Sequence, residues 1–264
     1  MSKLCPLFSG STGNSVYIGH KGEGILIDAG RSAKQLENSL FNNDIDVKSI
    51  KAVFITHEHN DHVSGLRVFA SRYKIKVYAS KGTILSLLEK GIINNSFPYE
   101  IIDEKGVDIG SMQVNSFPTS HDCCEGVGYS VDFSDGTRAA VCTDLGFISS
   151  EVKKAIVGSK ALVIESNYDT DMLKNGEYPY YLKRRILSEK GHLSNDKCAQ
   201  ILPELVENGL TRIILSHLSL ENNTPNLAFS SNKRVLEKQG MVLDRDFTLN
   251  VAPQVNETNL KLVF

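Results

Sequence analysis

The order of apolar and polar positions along the chain predicts an alternation of strands and helices. Short apolar runs that end at glycine, proline, serine or aspartate predict strands, and apolar residues three and four positions apart predict helices. The predicted strands are "KLCPLF", "SVYI", "GILIDAG", "IKAVFIT", "KVYAS", "MQVNSFP", "GVGYSVDF", "RAAVCTD", "ALVIES" and "RIILS". The predicted helices are "VSGLRVFASRY", "GTILSLLEKG" and the residues near 149–157, 179–190, 196–208 and 225–239.

The strands come in two groups, and helices follow each group. In the middle of the chain the strands succeed one another without helices, and Gly136 in "SDGT" predicts a hairpin turn between two of them. This order predicts an α/β fold of the four-layered αβ/βα sandwich type rather than a single doubly wound sheet. No repeat, low-complexity tract or linker divides the chain, so we expect residues 1–264 to form a single domain.

The composition excludes several classes of protein. Of the 264 residues, 41% are hydrophobic, which is enough to bury a large core. The net charge is −2 and the pI is about 6.4, whereas a protein that binds nucleic acid through bulk charge is usually basic. A nucleic-acid role would therefore need a local patch. No apolar run reaches about 18 residues, and "MSKLCPLFSG" lacks the apolar core of a signal peptide. We expect a cytoplasmic protein without a membrane partner.

The cysteines predict neither a disulfide framework nor a structural zinc knuckle. Their number is odd, their spacing is irregular, and one pair is adjacent rather than of the C-x-x-C type. We expect ordinary free thiols at Cys5, Cys123, Cys124, Cys142 and Cys198.

The stretch "FITHEHNDH" (54–62) concentrates metal-ligating side chains directly after an apolar strand. His57, His59, Asp61 and His62 form the pattern H-x-H-x-D-H. Side chains alternate along a strand, so His57 and His59 can point the same way as the chain leaves the sheet. Imidazole suits zinc and its first-row neighbours, and a carboxylate can bridge ions or serve a second one. The pattern predicts a metal site rather than a polar surface loop.

H-x-H-x-D-H after an apolar strand resembles the metallo-β-lactamase-fold hydrolases, which implies the metallo-β-lactamase fold for the sandwich. The resemblance also implies further ligands at later strand ends, where this sequence has His121 after "MQVNSFP", Asp144 closing "RAAVCTD" and His217 after "RIILS". The family pattern assigns His57, His59 and His121 to one metal ion, Asp61, His62 and His217 to a second, and Asp144 to a bridge between them.

The resemblance implies two divalent metal ions, zinc or manganese. A hydroxide between two such ions is an in-line nucleophile at neutral pH, because the metals lower the pKa of bound water. Asp61 would also orient that water or accept its proton. Asp28, in "LIDAG", closes a buried strand; in similar proteins this aspartate orients a metal-bound histidine, and the alternative is a capping aspartate. His20, in the polar turn "GHKGEG", fits no strand end, and we expect it to be exposed and without function.

The fold hosts lactamases, thioesterases, redox enzymes and phosphodiesterases, so only the site can indicate the substrate. A seven-ligand set with a bridging aspartate is unlike class B lactamases and leaves thioester and phosphodiester hydrolysis open. Residues 145–216 are too few for the inserted domain of β-CASP nucleases. Residues 63–120 leave little room for the projecting arm of a tRNA 3′-processing enzyme.

The stretch "GHLSND" (191–196) places His192 just before Ser194 and Asn195, which are both good N-cap residues. The helix that follows would offer free backbone N–H groups and a positive dipole end, which attract anions. A histidine beside it could protonate a leaving alkoxide, and the related tRNA-processing enzymes use a similar G-H-S element in this way. We predict a catalytic or phosphate-binding role for His192; the alternative is a helix-capping histidine without chemistry.

Three further segments are candidates for contact with the substrate or with the metal site. Lys183, Arg184 and Arg185 are candidate contacts to a nucleic-acid backbone, or a solvated face of a helix. The aromatic run "YPYY" (178–181) is predicted to pack rather than to stack on bases. The glycine turn "SGSTGN" (9–14) is a candidate to face the metals.

Taken together, the motifs "SGSTGN", "LIDAG", "THEHNDH", "SHD", "TDLG", "ESNYD", "GHLSN" and "LSHLS" resemble the WalJ/YycJ-type family of bacterial metallo-hydrolases over residues 4–250. The last three motifs are the specific part of the likeness. The resemblance implies a 5′-to-3′ exonuclease that acts on double-stranded DNA. The alternatives are a small-molecule metallo-hydrolase for a cyclic nucleotide, phosphonate ester or thioester, and a non-catalytic protein that keeps the metal site for structure. The presence of every ligand disfavours the last of these.

Overall fold

The computed structural model describes residues 1–264, and its strands form two seven-stranded sheets. The first sheet contains β1 (Ser2–Phe8), β2 (Ser15–His20), β3 (Glu23–Ile27), β4 (Ile50–Ile55), β5 (Lys76–Ala79), β6 (Tyr99–Ile101) and β14 (Leu262–Val263), in the order β14-β1-β2-β3-β4-β5-β6. The second contains β7 (Val107–Ile109), β8 (Met112–Pro118), β9 (Val127–Phe133), β10 (Arg138–Cys142), β11 (Ala161–Glu165), β12 (Arg212–Ser216) and β13 (Thr248–Val251), in the order β13-β12-β11-β10-β9-β8-β7.

Each sheet is antiparallel on one side and parallel on the other. Strands β3 to β6 run parallel in the first sheet, and β10 to β13 run parallel in the second. The carboxyl ends of parallel strands meet at one edge of a sheet, which is where α/β folds commonly bind ligands.

Nine helices connect the strands, and most of them cover the outer faces of the two sheets. They are α1 (Ala33–Asn42), α2 (Asn60–Val63), α3 (Leu66–Tyr73), α4 (Lys81–Glu89), α5 (Ser150–Ile156), α6 (Thr170–Asn175), α7 (Tyr180–Leu187), α8 (Asn195–Glu207) and α9 (Pro225–Lys238), with a 3₁₀ turn at Val47–Ser49. No helix is both long and apolar enough to span a bilayer.

Three apolar cores separate four layers. The core between the sheets includes Phe54 and Tyr129, both fully buried. Helices α1 and α3 pack on the first sheet through Leu36 and Phe69, and α8 packs on the second through Leu202. The predicted αβ/βα sandwich of the metallo-β-lactamase fold is therefore confirmed. That residues 1–264 form one domain stays a prediction.

Several elements were missed or misplaced by the sequence pattern. The predicted helix "VSGLRVFASRY" is split into α2 and α3, because the chain turns at Gly65, where an added Cβ would lie 1.9 Å from the carbonyl oxygen of Arg31. Helix α1 was missed although Ser32 and Gln35 form a capping box at its start. Strands β6, β7, β13 and β14 were missed because they are short and partly exposed.

The prediction for His20 is wrong. This residue is the last of β2 and is only 2% exposed. Its Nδ1 lies 2.9 Å from Ser2 Oγ, and its ring packs on Phe133 with the ring centroids 5.1 Å apart. His20 is therefore a buried packing residue at a strand end. All five cysteines are free, as expected.

Candidate metal centre

The predicted ligands gather at the edge where the carboxyl ends of the parallel strands meet. His57 and His59 follow β4, Asp144 follows β10, and His217 follows β12. The two sheets are tied together at this edge: the hydroxyl of Tyr129 on β9 donates a 2.7 Å hydrogen bond to the carbonyl of Ile55 on β4. A second link, from the amide of residue 127 to the carbonyl of residue 56, is 3.0 Å long. These bonds hold the His57 segment against the second sheet.

The structure brings all seven predicted ligands into one cluster. Within each of four groups the potential ligand atoms lie within 4.8 Å of one another. Asp144 is shared between groups: its Oδ2 is 3.4 Å from His62 Nε2, and its Oδ1 is 3.7 Å from His121 Nε2 and 3.6 Å from His217 Nε2. Three groups contain only predicted ligands, namely His57 with His59 and His121, Asp61 with His62 and His217, and Asp144 with His57 and His62. The fourth joins Asp144 and His217 to Glu165 and His192.

The cluster fits divalent metal ions. His57 Nε2, His217 Nε2 and Asp144 Oδ2 are buried, and none of them has a hydrogen-bond partner. Leaving such a group unsatisfied costs about 1–3 kcal/mol each. Imidazole nitrogens and carboxylate oxygens are the donors that zinc and its first-row neighbours take. The orphaned atoms therefore have the chemistry and the placement of ligands.

The charges of the cluster lead to the same interpretation. Burial lowers the pKa of His62, but the carboxylates of Asp28 and Asp144 outweigh burial and hold that pKa well above its ordinary value. Burial also lowers the pKa of His217, and Asp144 with Asp61 raises it to about 10. Both imidazoles are thus protonated at neutral pH when no ion is bound. A divalent ion would replace these protons, so its binding would release them.

Three residues of the site have a backbone conformation that is uncommon outside glycine. Asp28, Asp144 and His217 have φ values of 65°, 58° and 58°, and each lies one or two residues after the end of a strand. This left-handed conformation turns the chain sharply at the sheet edge and is often found at functional sites, where packing compensates for its cost.

Asp28 contacts the cluster through His62. The Nδ1–H of His62 donates to Asp28 Oδ2 at 2.8 Å, and the amide of Thr56 donates to Asp28 Oδ1 at 2.8 Å. This contact fixes the ring of His62 and leaves its Nε2 directed at Asp61 and Asp144. The geometry is that of a carboxylate that positions a metal-bound histidine.

The turn "SGSTGN" also contacts the cluster. The amide of His217 donates to Ser9 Oγ at 2.8 Å. Asn14 Nδ2 lies 3.2 Å from Asp61 Oδ2, and its backbone amide donates to the Asp61 carbonyl at 2.8 Å. Gly30 packs so closely that an added Cβ would lie 1.7 Å from the same carbonyl oxygen. The turn therefore holds Asp61 and His217 in place.

His192 lies beside the ligands. Its side chain is 17% exposed, and its ring centroid is 5.1 Å from that of His121 and 5.3 Å from that of His217. The N-cap of α8 is Ser194, whose Oγ accepts from the amide of Lys197 at 3.1 Å. The capping alternative for His192 is therefore wrong, because another residue holds that position.

Glu165 is the residue of the site to which the sequence reasoning assigned no role. This fully buried carboxylate ends β11 and has four donors around it. Its Oε1 accepts from Nδ1 of His192 and Nδ1 of His217, both at 2.8 Å. Its Oε2 accepts from the amides of Leu145 at 3.1 Å and Leu193 at 3.0 Å. The signal was present, because Glu165 ends an apolar strand in "ALVIES", as Asp144 does in "RAAVCTD".

Glu165 is an anion in this setting. Burial raises its pKa, but the neighbouring His192 and His217 outweigh burial, and the net shift is downward. Because its Oε1 accepts from both Nδ1 atoms, Nε2 of each imidazole faces away from Glu165. Glu165 thereby fixes the tautomer of one predicted ligand and of the predicted proton donor together.

A buried polar network surrounds Glu165. Ser166 Oγ donates to Asn195 Oδ1 at 2.6 Å, Asn223 Nδ2 donates to the Ser166 carbonyl at 2.9 Å, and Asn232 Nδ2 donates to Ser166 Oγ at 3.2 Å. The network joins the end of β11, the start of α8 and helix α9. The hydrogen bonds therefore connect the motif "ESN" at the end of β11 with the motif "GHLSN" at the start of α8.

The three basic residues of α7 differ in their surroundings. Arg185 donates from Nε and Nη2 to the carboxylate of Asp122 at 2.5 and 3.0 Å. Lys183 Nζ donates to the carbonyls of residues 174 and 176 at 2.8 and 2.6 Å. The guanidinium of Arg184 lies 5.9 Å from the ring centroid of Tyr180 and has no carboxylate partner. Only Arg184 is thus without a polar protein partner.

The run "YPYY" splits into two environments. Tyr178 packs against the small core of Tyr168, Leu173 and Ile186, as predicted. Tyr180 and Tyr181 are 76% and 75% exposed, so the packing prediction is wrong for both of them.

Comparisons with known proteins agree with this geometry. The sequence model described as the beta-lactamase superfamily domain matches residues 24–218. Exodeoxyribonuclease YycJ of Bacillus anthracis is 36% identical over 259 residues, which are 97% of this chain and 95% of that protein. Exodeoxyribonuclease WalJ of Streptococcus pneumoniae is 32% identical over 248 residues, which are 93% of this chain and 92% of that protein.

A solved structure shows the same fold. The metallo-beta-lactamase fold protein YhfI from Bacillus subtilis matches 99% of this chain and 98% of its own chain with a TM-score of 0.74, at 14% sequence identity. The family model, the two exodeoxyribonuclease relatives and the shared sandwich agree with the likeness seen in the motifs. The chain belongs to the metallo-β-lactamase superfamily and, within it, to the WalJ/YycJ-type family of bacterial metallo-hydrolases.

Proposed function

We propose that the protein is a two-metal phosphodiesterase that degrades double-stranded DNA from the 5′ end towards the 3′ end. The observation that carries the proposal is His192, held by the buried Glu165 at the edge of the metal cluster. Such a group can protonate a leaving alkoxide, which phosphodiester hydrolysis requires. The names of the two relatives, both exodeoxyribonucleases, support DNA as the substrate.

The seven clustered residues would hold the ions. Two divalent ions, zinc or manganese, supply when bound a Lewis acid for the phosphate oxygens and a bound water with a pKa near neutrality. We assign His57, His59 and His121 to one ion, Asp61, His62 and His217 to the other, and Asp144 to both.

We assign to Asp61 the role of orienting the attacking water and accepting its proton. Its side chain is 25% exposed, whereas those of His62, His217 and Asp144 are at most 4% exposed. Asn14 holds one of its oxygens at 3.2 Å. A carboxylate that is both anchored and open to solvent can orient the water and accept its proton.

His192 would act on the leaving group. Its Nδ1–H is held by Glu165, so Nε2 is the nitrogen that would pass a proton to the leaving oxygen. Asp28 and Glu165 do not touch the substrate in this scheme. They are positioning residues, and they fix His62 in one case and both His192 and His217 in the other.

Among the basic residues of α7, we assign direct contact with the nucleic-acid backbone to Arg184. Lys183 contributes its charge, and Arg185 acts through Asp122, which neighbours His121. With a net charge of −2, the chain offers little bulk attraction for DNA, so local contacts such as these are required.

The test is a set of labelled duplexes incubated with manganese- or zinc-loaded protein. Progressive loss of a 5′ label, with the 3′-labelled strand shortening in steps, is the expected result. Loss from the 3′ label first would reverse the proposed polarity. If the protein hydrolyses a chromogenic diester or thioester but leaves DNA intact, the nuclease function is wrong and the small-molecule hydrolase is favoured.

A matched pair of variants tests whether His192 is a metal ligand or a proton donor. His192→Ala should lower turnover while two ions per chain remain bound, as measured by inductively coupled plasma mass spectrometry. Asp144→Ala should lower the metal content itself. If His192→Ala loses an ion, then His192 is a ligand and its assignment as proton donor is wrong.

A further inference from the structure

Helix α7 presents two tyrosines that its packing does not use. Tyr180 and Tyr181 are 76% and 75% exposed. The opposite side of the helix packs through Ile186 and Leu182 against the small core that also contains Leu173. The helix is therefore anchored by its apolar side, and the two aromatic rings contribute little to that core.

The exposed side of α7 is also cationic. The helix sequence "YYLKRRIL" contains three basic residues and no acidic one. Tyr180 and Arg184 are four positions apart, so their side chains meet on one face, with the guanidinium 5.9 Å from the ring centroid. Arg184 remains exposed and has no carboxylate partner. The face thus combines open aromatic rings with an unpaired cation.

This face is rigidly connected to the metal cluster. The Arg185–Asp122 ion pair ties the helix to the neighbour of His121. The amide of His192 donates to the carbonyl of Ile186 at 3.1 Å, and Nδ1 of His121 lies 3.1 Å from the carbonyl of Gly191. The end of α7 and the two histidines therefore form one packed unit.

The distance along the helix suits a short stretch of nucleic acid. Tyr181 precedes Arg185 by four residues, which is about 6 Å along the helix axis. Two stacked nucleotides span about 7 Å of one strand. The tyrosines therefore lie about one helical turn from Arg185, the residue that pairs with Asp122 beside His121.

We propose that Tyr180, Tyr181 and Arg184 form a stacking platform for the unpaired bases of a single-stranded end of the substrate. The proposal rests on the proposed nuclease function. Tyrosine rings stack on any base, and a guanidinium adds cation–π and phosphate contacts, so such a platform binds without sequence preference. It would also let a chain of net charge −2 retain DNA without a large basic surface.

Binding of a tailed oligonucleotide tests the platform. We would measure the Kd of manganese-loaded protein for a phosphorothioate-linked duplex with a single-stranded tail, by fluorescence anisotropy. The double variant Y180A/Y181A should raise the Kd about 25-fold or more, since removing one stacking ring weakens binding at least about fivefold. The double variant Y180F/Y181F keeps the rings and should stay within about twofold of wild type.

The matched control is Phe41→Ala, because Phe41 is 82% exposed but lies on α1, on the outer side of the other sheet. It should not change the Kd. A Kd for Y180A/Y181A within twofold of wild type would overturn the platform. So would a concentration-dependent dimer in sedimentation equilibrium that Y180A/Y181A abolishes, because the tyrosines would then bind a second copy of the chain.

A spectroscopic measurement does not depend on catalysis. The chain has no tryptophan, so Tyr181→Trp introduces a single tryptophan whose emission can be excited apart from that of the tyrosines. Stacking of a base should quench its emission on titration with the tailed oligonucleotide, whereas Phe41→Trp should remain unquenched. Absence of quenching at saturating oligonucleotide would overturn the proposal.

The two proposals fail in different ways. If the wild type shortens no DNA, the nuclease function fails whatever the tyrosines bind. If the wild type shortens tailed duplexes and Y180A/Y181A has an unchanged KM, the platform alone is wrong. The expected result is a raised KM with a smaller effect on kcat, because the tyrosines bind the strand away from the reacting phosphate.

Discussion

Replacing Glu165 by glutamine is expected to weaken both the fold and the site. The carboxylate accepts four hydrogen bonds, two from imidazoles at 2.8 Å and two from backbone amides at 3.0 and 3.1 Å. Glutamine has nearly the same shape, but one of its two terminal atoms is a donor. Whichever way the amide is turned, its nitrogen faces two of the four donors, which must lose their hydrogen bonds or, for the imidazoles, give up the Nδ1 proton. Each such loss costs about 1–3 kcal/mol, so the free energy of unfolding should fall by about 2–6 kcal/mol.

The effect on the site depends on which way the amide turns. If its nitrogen faces the imidazoles, Nδ1 of His217 must become an acceptor and Nε2 must carry the proton, so that Nε2 can no longer bind an ion. Loss of a residue that orients a metal-bound histidine typically costs 10- to 100-fold in metal affinity or activity. We expect a loss in that range for Glu165→Gln, together with a loss of turnover through His192.

The assays are urea unfolding for stability, chelator competition for metal affinity, and kcat on a labelled duplex. Glu165→Asp is the matched control, because it keeps the charge but shortens the reach to the imidazoles, and it should retain part of the function. Unchanged unfolding free energy and metal affinity in Glu165→Gln would refute the reasoning, because the four hydrogen bonds would then contribute nothing measurable.

Three further predictions follow from the same geometry. Asp28→Asn should reduce the affinity for one ion about 10- to 100-fold and leave the other bound, so metal analysis at limiting metal should show one ion per chain instead of two. Removal of the ions should lower the melting temperature, since an ion at a thousandfold of its Kd stabilises the folded state by about 4 kcal/mol; an unchanged melting curve after chelation would argue against a metal site. Gly30→Ala places a Cβ 1.7 Å from the Asp61 carbonyl oxygen and should cost about 1–3 kcal/mol by overpacking, with a loss of turnover. Gly136→Ala, with open space but a φ of 83°, should cost about 1 kcal/mol and leave turnover intact.

The fold and much of the cluster were predictable because their signals are local. His57, His59, Asp61 and His62 lie within six positions after an apolar strand, so chain geometry alone places them together. Asp144 and His217 follow strands of the parallel set, whose carboxyl ends meet at one edge. Strand β8, which precedes His121, runs in the same direction as β10 because both are antiparallel to β9. Strands in the middle of a sandwich are buried on both faces, which gives the continuous apolar runs that marked them.

Other features had no comparable signal. Helix α1 is an exception, because Ala33, Leu36 and Leu40 lie at helical spacing and a capping box marks its start, so its signal was local and was overlooked. His20 occurs in a polar stretch, and only the packing of Ser2 and Phe133 around it shows that it is buried. The exposure of Tyr180 and Tyr181 depends on how α7 is anchored, which an aromatic-rich run does not reveal.

The sequence pattern predicted the sandwich and the sheet edge that carries the site, and the resemblance to the metallo-β-lactamase-fold hydrolases implied which residues cluster there. Both were possible because strand periodicity and motif spacing are properties of short segments. Only the tertiary structure decided how those residues are oriented. The placement of Glu165 between His192 and His217 depends on the parallel register of β11 with β12 and on the asparagine network around Ser166. Hydrogen bonds between segments 27 and 52 residues apart determine which imidazole nitrogen faces the site, and no local pattern encodes them.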